Sequence, residues 1–302
     1  MTIKQVFTQV IRDASAGRIR RSDSNLLSSK TIDNWEQIVR NLSPVLGADH
    51  RADALSCYND IVEHLVSRGS SRNYIALCVS STVSMAHYAT RYGIADMRSW
   101  QDQRPKIKPE RTSKIFLTDA EVDAMNNLDL GNDRRMALAR DQWITMYYTG
   151  LRISDMLRIS HSNINSDTIT LVHHKTGKLV VIPVHSRLKP VLTRVMAQPA
   201  RMGKEELNRR IKTVAKLAGI DGDIVTVITS GGKRVEKLCK KYDMVSCHTA
   251  RRSVTTNLIR AGISHDIAGD MLGMCSSTWA VYNRMTAEDK AKQLQSTPFF
   301  TR

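Results

Sequence analysis

The sequence lacks any long apolar run. Its 302 residues contain no uninterrupted apolar stretch close to the roughly 18 residues that cross a membrane. No positively charged start followed by an apolar core is present, so we expect no secretory signal. A basic amphipathic helix with bulky apolar anchors, typical of proteins on a membrane surface, is also absent. These absences exclude the membrane classes, and we expect a cytoplasmic protein with no membrane partner.

Cysteine is scarce, and its few copies are scattered. The five cysteines form no Cys-x-x-Cys pair, and their odd number argues against a disulfide framework. The sequence also lacks a glycine-rich phosphate-binding loop and a group of carboxylates spaced for magnesium. We therefore expect a reduced protein with no metal site and no cofactor.

Positive charge, by contrast, is in excess. The chain carries 45 Lys+Arg against 29 Asp+Glu, which gives a net charge of +16 and a pI near 9.9. The excess is uneven, because residues 1–100 hold a net +3 and residues 101–302 hold +13. Basic proteins bind polyanions well, since neutralised phosphates release their counterions. The charge favours a polyanionic partner, with a generally basic protein as the alternative.

The first hundred residues predict a helical domain. Apolar residues recur at helical spacing in three stretches: 32–42, 55–65 and 75–89. Gly93 is placed to end the third helix in a left-handed cap. We assign 25–100 to this domain and 1–24 to an N-terminal extension that could hold one further helix.

Residues 101–117 predict a linker. They combine two prolines with several Lys and Arg and show no helical stripe. A second domain, 118–290, follows and opens with a capping box between Thr118 and Glu121. Residues 291–302 form a C-terminal tail.

Two short hairpins are predicted inside the second domain. The alternating runs Thr168–His173 and Leu179–Val184 flank one turn, and Ile224–Thr229 and Arg234–Lys240 flank another. A basic helix between the hairpins has four apolar residues predicted to face inward: Leu207, Ile211, Val214 and Leu217. Since helices fill most of the remaining chain, the predicted fold class is mainly α with small β-hairpins (α+β).

A possible phosphate-binding arginine follows a glycine junction. In Thr149–Asp155, Gly150 leads into a predicted helix with Arg152 in its first turn. A guanidinium matches two phosphate oxygens, and a helix N-terminus adds positive potential. Asp155, one turn on, could orient this guanidinium. The alternative is a surface salt bridge.

Lys175 and the pair His248 and Arg251 are further candidates. Lys175 lies at the tip of the first predicted hairpin, from which its ammonium could enter a cleft as a proton donor. His248 and Arg251 are three residues apart and share one helix face. A histidine that titrates near neutrality beside an arginine suits phosphoryl chemistry. A turn lysine and a histidine that caps or packs at a helix start are the alternatives.

Tyr282 is the candidate nucleophile. It follows Arg251 by 31 residues. A phenol titrates near pH 10 and becomes a nucleophile only where cations stabilise its phenolate. Most tyrosines are packing residues, so the interpretation depends on the groups that precede Tyr282 in order.

The order and spacing of these groups resemble the tyrosine recombinase, or phage integrase, family. TGLRISDMLRI resembles the first arginine box of that family, with its usual acidic residue, and HKTGK resembles the β-hairpin lysine. HTARR resembles the His-x-x-Arg box, and Tyr282 falls at the family's distance. Together with the Gly-Gly hairpin before it, this box most resembles integrases of Bacteroidetes elements. Residues 25–100 resemble the SAM-like core-binding domain, and 118–290 resemble the catalytic domain. The resemblance implies a C-shaped clamp around DNA.

The resemblance also implies a role for each candidate. Arg152 and Arg251 clamp the scissile phosphate, and Lys175 protonates the departing 5′ oxygen. His248 assists proton transfer at the tyrosine or holds the phosphate. Tyr282 attacks and leaves a 3′-phosphotyrosyl link and a free 5′ hydroxyl. The bond energy stays in that link, so rejoining needs neither ATP nor a metal ion.

One position departs from the family pattern. The family normally places His or Trp after the Leu-Gly that precedes the tyrosine, but Leu272-Gly273 is followed here by Met274. Methionine offers no useful hydrogen bond to a phosphate oxygen. Either Met274 only packs and leaves five catalytic groups, or Trp279 or Cys275 replaces the donor. His265 is a weaker substitute, and an inactive relative is a further alternative.

Double-stranded DNA recombination sites are the implied partner. The resemblance implies a monomer in solution and a homo-tetramer on two sites, with a Holliday junction between strand exchanges and accessory DNA-bending proteins as possible partners. The tail 291–302 would dock on a neighbouring subunit or pack on its own domain. A type IB topoisomerase and a non-cleaving DNA-binding protein on the same fold are the alternatives. Six further residues are candidate DNA contacts: Lys106, Lys108, Arg111, Arg209, Arg210 and Arg252.

Overall fold

The computed structural model describes residues 1–47, 53–110, 113–274 and 285. Contacts divide the chain into two compact units, one of residues 1–113 with 226–237 and one of 114–225 with 238–302. Each unit has a hydrophobic core of its own. Every helix in these described ranges is too short or too polar to span a lipid bilayer.

Helices build most of the first unit. Their bounds are α1 (Ile3–Ser15), α2 (Ser29–Asn41), α3 (Ala54–Ser67), α4 (Arg72–Arg91) and α5 (Ser99–Asp102). The helices predicted for residues 1–100 are confirmed, and Gly93 follows α4 with φ of 68°. Helix α1 packs against α2 and α4, and Phe7 meets Trp100 edge to face at 5.4 Å between ring centroids. Residues 1–24 therefore supply a core helix to this unit.

The second unit combines helices with strands. Its elements are α6 (Asp119–Asn126), α7 (Arg134–Thr149), α8 (Ile153–Met156), β1 (Thr168–Val172), β2 (Leu179–Pro183), α9 (Leu188–Met196), α10 (Lys204–Leu217), β3 (Asp223–Ser230), β4 (Lys233–Lys240), α11 (Cys247–Arg260) and α12 (His265–Leu272). The capping box of Thr118 and Glu121 opens α6 as predicted. The middle of β3 and β4 belongs to the first unit.

Helix α7 lies at the centre of the second unit. It contacts α6, α8, α9, α10 and α11, and most of its side chains are buried. Trp143 is fully buried, and its Nε1 donates to the carbonyl oxygen of Ser246 at 2.9 Å. This bond fixes the residue that precedes α11. Helix α7 contacts both α8, which Arg152 precedes, and α11, which contains Arg251. One central helix therefore positions both arginines.

Strands β1 and β2 form the first predicted hairpin. They pair antiparallel, with Thr168 opposite Pro183 and Val172 opposite Leu179. Ile169 and Leu171 are buried, as strand alternation requires. The hairpin contacts α12 through β2. This packing holds the turn between the strands in a fixed place.

The tip of the second hairpin belongs to the first unit. Ser230 Oγ donates to the carbonyl oxygen of Gly69 at 2.6 Å. The backbone N–H and the hydroxyl of Thr229 both donate to the carboxylate of Glu110, each at 2.7 Å. These bonds connect the hairpin tip to the segments that contain Gly69 and Glu110. Strands β3 and β4 pair with each other, so the second predicted hairpin is confirmed.

One predicted core position is wrong. Leu217, the last residue of α10, is 59% exposed, whereas Leu207, Ile211 and Val214 are fully buried. With 3.6 residues per turn, the apolar stripe passes through residue 218 rather than 217. Ala218 accordingly packs against the core. The fold class, mainly α with small β-hairpins, is confirmed.

Candidate active site

A sharp chain reversal places Arg152. Helix α7 ends at Gly150, which has φ of 64° and is packed so closely that an added Cβ would lie 1.9 Å from Leu272 Cδ2. Arg152 is the N-cap residue of α8, one position before the first helical turn in which we predicted it. Helix α8 is a single turn. Only glycine meets both the left-handed conformation and the tight packing at this reversal.

Replacing Gly150 with alanine is expected to lower the free energy of unfolding by about 2–5 kcal/mol. The left-handed conformation costs a non-glycine residue about 1–2 kcal/mol, and the clash with Leu272 adds an overpacking cost of about 1–3 kcal/mol. Gly131→Ala is the matched control, since Gly131 has φ of 53° but no atom within 4 Å of an added Cβ. Urea unfolding of both variants measures the difference. Equal losses would contradict the close packing at Gly150.

Asp155 is fully buried and bonds the first hairpin. Its Oδ1 accepts a hydrogen bond from the backbone N–H of His174 at 2.8 Å, and Arg158 Nη1 lies 3.7 Å away. We expected this carboxylate to orient Arg152, but it holds the hairpin turn instead. In the part of the chain that the structure describes, Asp155 Oδ2 and Arg152 Nη1 are buried and have no hydrogen-bond partner.

Lys175 lies in the turn between β1 and β2, as predicted. Its side chain is exposed, and the turn is closed by the bond from the His173 N–H to the carbonyl oxygen of Lys178 at 2.9 Å. Lys178 forms a 2.9 Å ion pair with Asp270 of α12. The buried Asp155 therefore holds one side of the turn that presents Lys175, and the exposed pair of Lys178 and Asp270 lies on the other side.

Arg251 joins two chain segments from inside α11. It is 1% exposed, and its Nη1 donates to the carbonyl oxygen of Gly150. Its Nη2 donates to the carbonyl oxygen of Leu272 at 2.5 Å. The guanidinium thus lies between the reversal that precedes Arg152 and the end of α12.

His248 is the second residue of α11, and its side chain is partly exposed. Its pKa lies below the usual value because surrounding atoms displace water from the ring. The cations Arg252, Lys204, Lys114 and Arg152 lower the pKa further. The ring is therefore mainly neutral near pH 7, a form that can accept a proton.

A buried histidine that we did not predict, His173, lies in the same region. It is 1% exposed, and neither ring nitrogen has a hydrogen-bond partner among the described residues. An inward direction was available from the sequence, because strand alternation through Ile169 and Leu171 places residue 173 on the buried face. Its pKa lies below the usual value because burial disfavours the charged ring.

The His173 ring is expected to make stability depend on pH. Asp155 raises its pKa, while Arg251, Arg152 and Lys178 assist burial in lowering it. Because the pKa of His173 is lower in the folded chain, the unfolded chain binds more protons near that pKa. The stability that the neutral His173 ring contributes is complete above the unfolded pKa of about 6.5 and is lost as pH falls through the folded pKa.

Wild type should therefore lose more stability than His173→Phe between pH 7.5 and pH 5, by at most about 1.4 kcal/mol per pH unit. Denaturant unfolding at several pH values tests this. His248 shifts in the same direction but is present in both proteins, so its effect cancels. Parallel curves for the two proteins would show that His173 is not the titrating group.

Met274 packs in the core of the second unit. It is 8% exposed, and its N–H donates to the carbonyl oxygen of Gly269 at 2.8 Å. His265 is the first residue of α12, and Met274 follows the end of that helix at Leu272. About 10 Å of helix therefore separates His265 from the end of α12 that precedes Met274. Cys275, Trp279 and Tyr282 lie outside the described residues. Within the described ranges, no three His, Cys, Asp or Glu side chains are grouped to hold a metal ion.

Three of the five described candidate DNA contacts are exposed, and the other two bond to groups of the protein. Lys106, Lys108 and Arg209 are exposed. Arg210 pairs with Glu206 at 2.9 Å, and Arg252 donates to the carbonyl oxygen of Ile115 at 3.3 Å. Arg111 lies outside the described residues.

A model of the phage integrase family matches residues 116–289. The chain belongs to the phage integrase family. It is a site-specific tyrosine recombinase, an enzyme that cleaves and rejoins DNA strands. The matched range contains Arg152, Lys175, His248, Arg251 and Tyr282. No curated protein matches the chain.

Solved integrase structures share its fold. The Tn1549 transposon integrase (residues 82–397) with circular intermediate DNA has a TM-score of 0.63 and 17% identity, and covers 98% of this chain and 100% of that one. A lambda integrase (75–356) dimer bound to a COC′ core site has a TM-score of 0.71 and 15% identity, with 94% and 96% covered. A lambda integrase tetramer bound to a Holliday junction has a TM-score of 0.65 and 16% identity, with 92% and 79% covered. At these identities the likeness shows the fold alone.

Proposed function

We propose that Arg152 and Arg251 bind the scissile phosphate of double-stranded DNA and that Tyr282 attacks it. The supporting observation is a pair of buried polar atoms without partners in the segment that carries Arg152. Arg152 Nη1 and Asp155 Oδ2 lack partners among the described residues. An unpaired buried polar atom costs about 1–3 kcal/mol, and more when charged. An incoming phosphate would satisfy the guanidinium, so the cost is recovered when DNA binds.

Arg251 reaches a phosphate only after a local rearrangement. Both of its terminal nitrogens donate to backbone carbonyls, those of Gly150 and Leu272. Exchange of one carbonyl for a phosphate oxygen replaces a neutral acceptor with a charged one, which gives a stronger hydrogen bond. The free enzyme is then a closed form that DNA opens.

The reaction transfers one phosphodiester bond to the protein and back. The Tyr282 oxygen bonds to phosphorus as the bond from phosphorus to the 5′ oxygen breaks. That oxygen takes its proton from Lys175, and His248 accepts the proton of the tyrosine hydroxyl. The product is a 3′-phosphotyrosyl link with a free 5′ hydroxyl. Attack by a 5′ hydroxyl of another strand reverses these steps and releases Tyr282.

The two units take different parts in this proposal. Residues 25–100 act as the core-binding domain, 101–117 as a basic linker and 118–290 as the catalytic domain. We expect a tetramer on two DNA sites, and the lambda integrase tetramer on a Holliday junction supports this arrangement by analogy. The tail 291–302 then docks on a neighbouring subunit, the reaction takes place in the cytoplasm, and DNA-bending proteins assist where the sites are far apart.

Covalent capture tests the proposal without knowledge of the target sequence. A library of nicked duplexes with randomised flanks is incubated with wild type and with Tyr282→Phe, and complexes that survive denaturation are sequenced. Because of a nick beside the cleavage point, the fragment with the free 5′ hydroxyl is short and dissociates after cleavage. Without that hydroxyl the strand cannot be rejoined, so the covalent link persists. We expect wild type to enrich a sequence and Tyr282→Phe to trap none.

The same library separates the alternatives. If wild type binds DNA but traps nothing, the chain is a non-cleaving DNA-binding protein. If it traps DNA, duplexes and plasmids that carry the recovered sequence are tested for exchange between two sites and for relaxation of supercoils. Exchange supports recombination, whereas relaxation by a monomer without exchange supports a topoisomerase.

A further inference from the structure

His173 is a buried histidine that the proposed steps do not use. It follows β1 directly, it is 1% exposed, and neither ring nitrogen has a partner among the described residues. A neutral imidazole has one N–H donor and one acceptor nitrogen, so both are unmet. Buried polar atoms are nearly always paired, and an exception calls for a functional explanation such as an absent ligand.

The His173 ring lies where the two arginine segments meet. An added Cβ on Gly273 would lie 2.6 Å from the ring Cε1 and 2.7 Å from Nδ1, so the ring is directly against that glycine. Leu272, one residue earlier, accepts a hydrogen bond from Arg251. The residue after His173 donates to Asp155. The charges of Arg251 and Asp155 both act on the ring.

One backbone segment covers both His173 and Arg251. Leu272 holds Arg251 through its carbonyl oxygen, and Gly273 lies on the His173 ring. Displacement of this two-residue segment would free Arg251 Nη2 and uncover the ring in a single movement, while Nη1 stays bound to Gly150. A phosphate that draws Arg251 away from Leu272 would therefore meet His173 as well.

We propose, on the basis of the proposed function, that His173 supplies the hydrogen bond to the scissile phosphate that Met274 cannot give. Its N–H donates to a non-bridging phosphate oxygen, next to the two arginines. Met274 follows Gly273 directly, and the His173 ring lies against that glycine, so the two side chains belong to the same part of the fold. Once movement of residues 272–273 has uncovered the ring, a donor aimed at developing charge needs no further reorganisation during the reaction.

Two substitutions at His173 separate chemistry from packing. His173→Phe keeps a ring of similar size and removes both nitrogens, whereas His173→Gln keeps a donor. On a nicked duplex of the captured sequence, we expect His173→Phe to slow formation of the covalent link about 100-fold, the usual effect of losing one such donor. His173→Gln should recover most of that loss. The exposed His161 gives the control variant His161→Phe, which should react like wild type.

Thermal unfolding and DNA affinity complete this comparison. His173→Phe should unfold no earlier than wild type, because it removes unpaired polar atoms from a buried place, and its Kd for DNA should stay within about threefold. A His173→Phe variant that forms the link at the wild-type rate would overturn the proposal. If His173→Phe is slow but also unfolds at a lower temperature than wild type by a matching amount, the defect lies in packing, and this result would also overturn the proposal.

A measurement independent of cleavage distinguishes this proposal from the proposed function. The ring signals of His173 in the full chain, labelled with 15N-histidine and assigned by their loss in His173→Phe, are followed as inorganic phosphate is added at constant ionic strength. We expect shifts with phosphate and none with chloride. Shifts without any covalent link would support the His173 site and reject the recombinase steps. Absence of shifts together with a normal link would reject His173 alone, and absence of both would reject the two proposals.

Discussion

Replacing Arg152 with alanine is expected to slow formation of the covalent DNA link about 1000-fold without lowering the free energy of unfolding. A well-placed donor to developing charge is worth 10²–10³ in rate, and a planar guanidinium offers two such donors. No described residue is the partner of the buried Arg152 Nη1, so the side chain contributes little to the fold. The free energy of unfolding should therefore not fall, and removal of the unpaired atom should raise it by up to about 1–3 kcal/mol.

Single-turnover cleavage of a captured nicked duplex measures this effect. Arg152→Lys keeps the charge but loses the fork, and should fall between wild type and Arg152→Ala. Arg135→Ala is the control, because Arg135 also lies in the second unit but forms an exposed ion pair with Glu206, which contributes little to stability. If Arg152→Ala reacts at the wild-type rate, Arg152 does not bind the scissile phosphate.

Replacing Lys175 with alanine is expected to slow cleavage by about 10²–10⁴-fold, the usual range for loss of a general acid. The departing 5′ oxygen would otherwise leave as an alkoxide, which is a poor leaving group. Sulfur in place of that oxygen removes the need for a proton, since thiols titrate near 8.5. A duplex with a bridging 5′ sulfur should therefore be cleaved by Lys175→Ala at close to the wild-type rate.

Lys178→Ala is the matched control for this experiment. Lys178 lies in the same turn, but its ammonium pairs with Asp270, so it should affect oxygen and sulfur substrates alike. If Lys175→Ala is equally slow on both substrates, its defect lies in binding or positioning, and another group protonates the leaving oxygen.

The locally determined features could be predicted from the sequence. Helices α2, α3 and α4 follow from apolar spacing, and the first hairpin follows from two alternating runs around a glycine-containing turn. The position of Lys175 in that turn follows with them. These features depend on residues close together in the chain, where spacing determines which face is buried.

Side-chain partners could not be predicted in the same way. Asp155 bonds the backbone of His174, 19 residues away, rather than Arg152. Arg251 donates to Gly150 and Leu272, and such contacts depend on how α7, α11 and α12 pack together. Sequence spacing indicates which groups share an element, but the packed core determines which of them meet.

His173 lies between these two cases. Strand alternation predicts that it points inward, and that part needs only the pattern through Ile169 and Leu171. The contact with Gly273 and the absence of a partner among the described residues depend on tertiary packing. The motif drew attention to Lys175, and the buried histidine two residues earlier became evident only in the folded chain.

Mapping of the DNA-linked peptide tests the central claim most directly. Wild type is trapped on the captured nicked duplex and digested with trypsin and nuclease, and the peptide that retains a nucleotide is sequenced by tandem mass spectrometry. We expect a 3′-phosphotyrosyl bond at Tyr282. A nucleotide attached to any other residue, or no attached nucleotide from a folded protein that binds the duplex, would contradict the account.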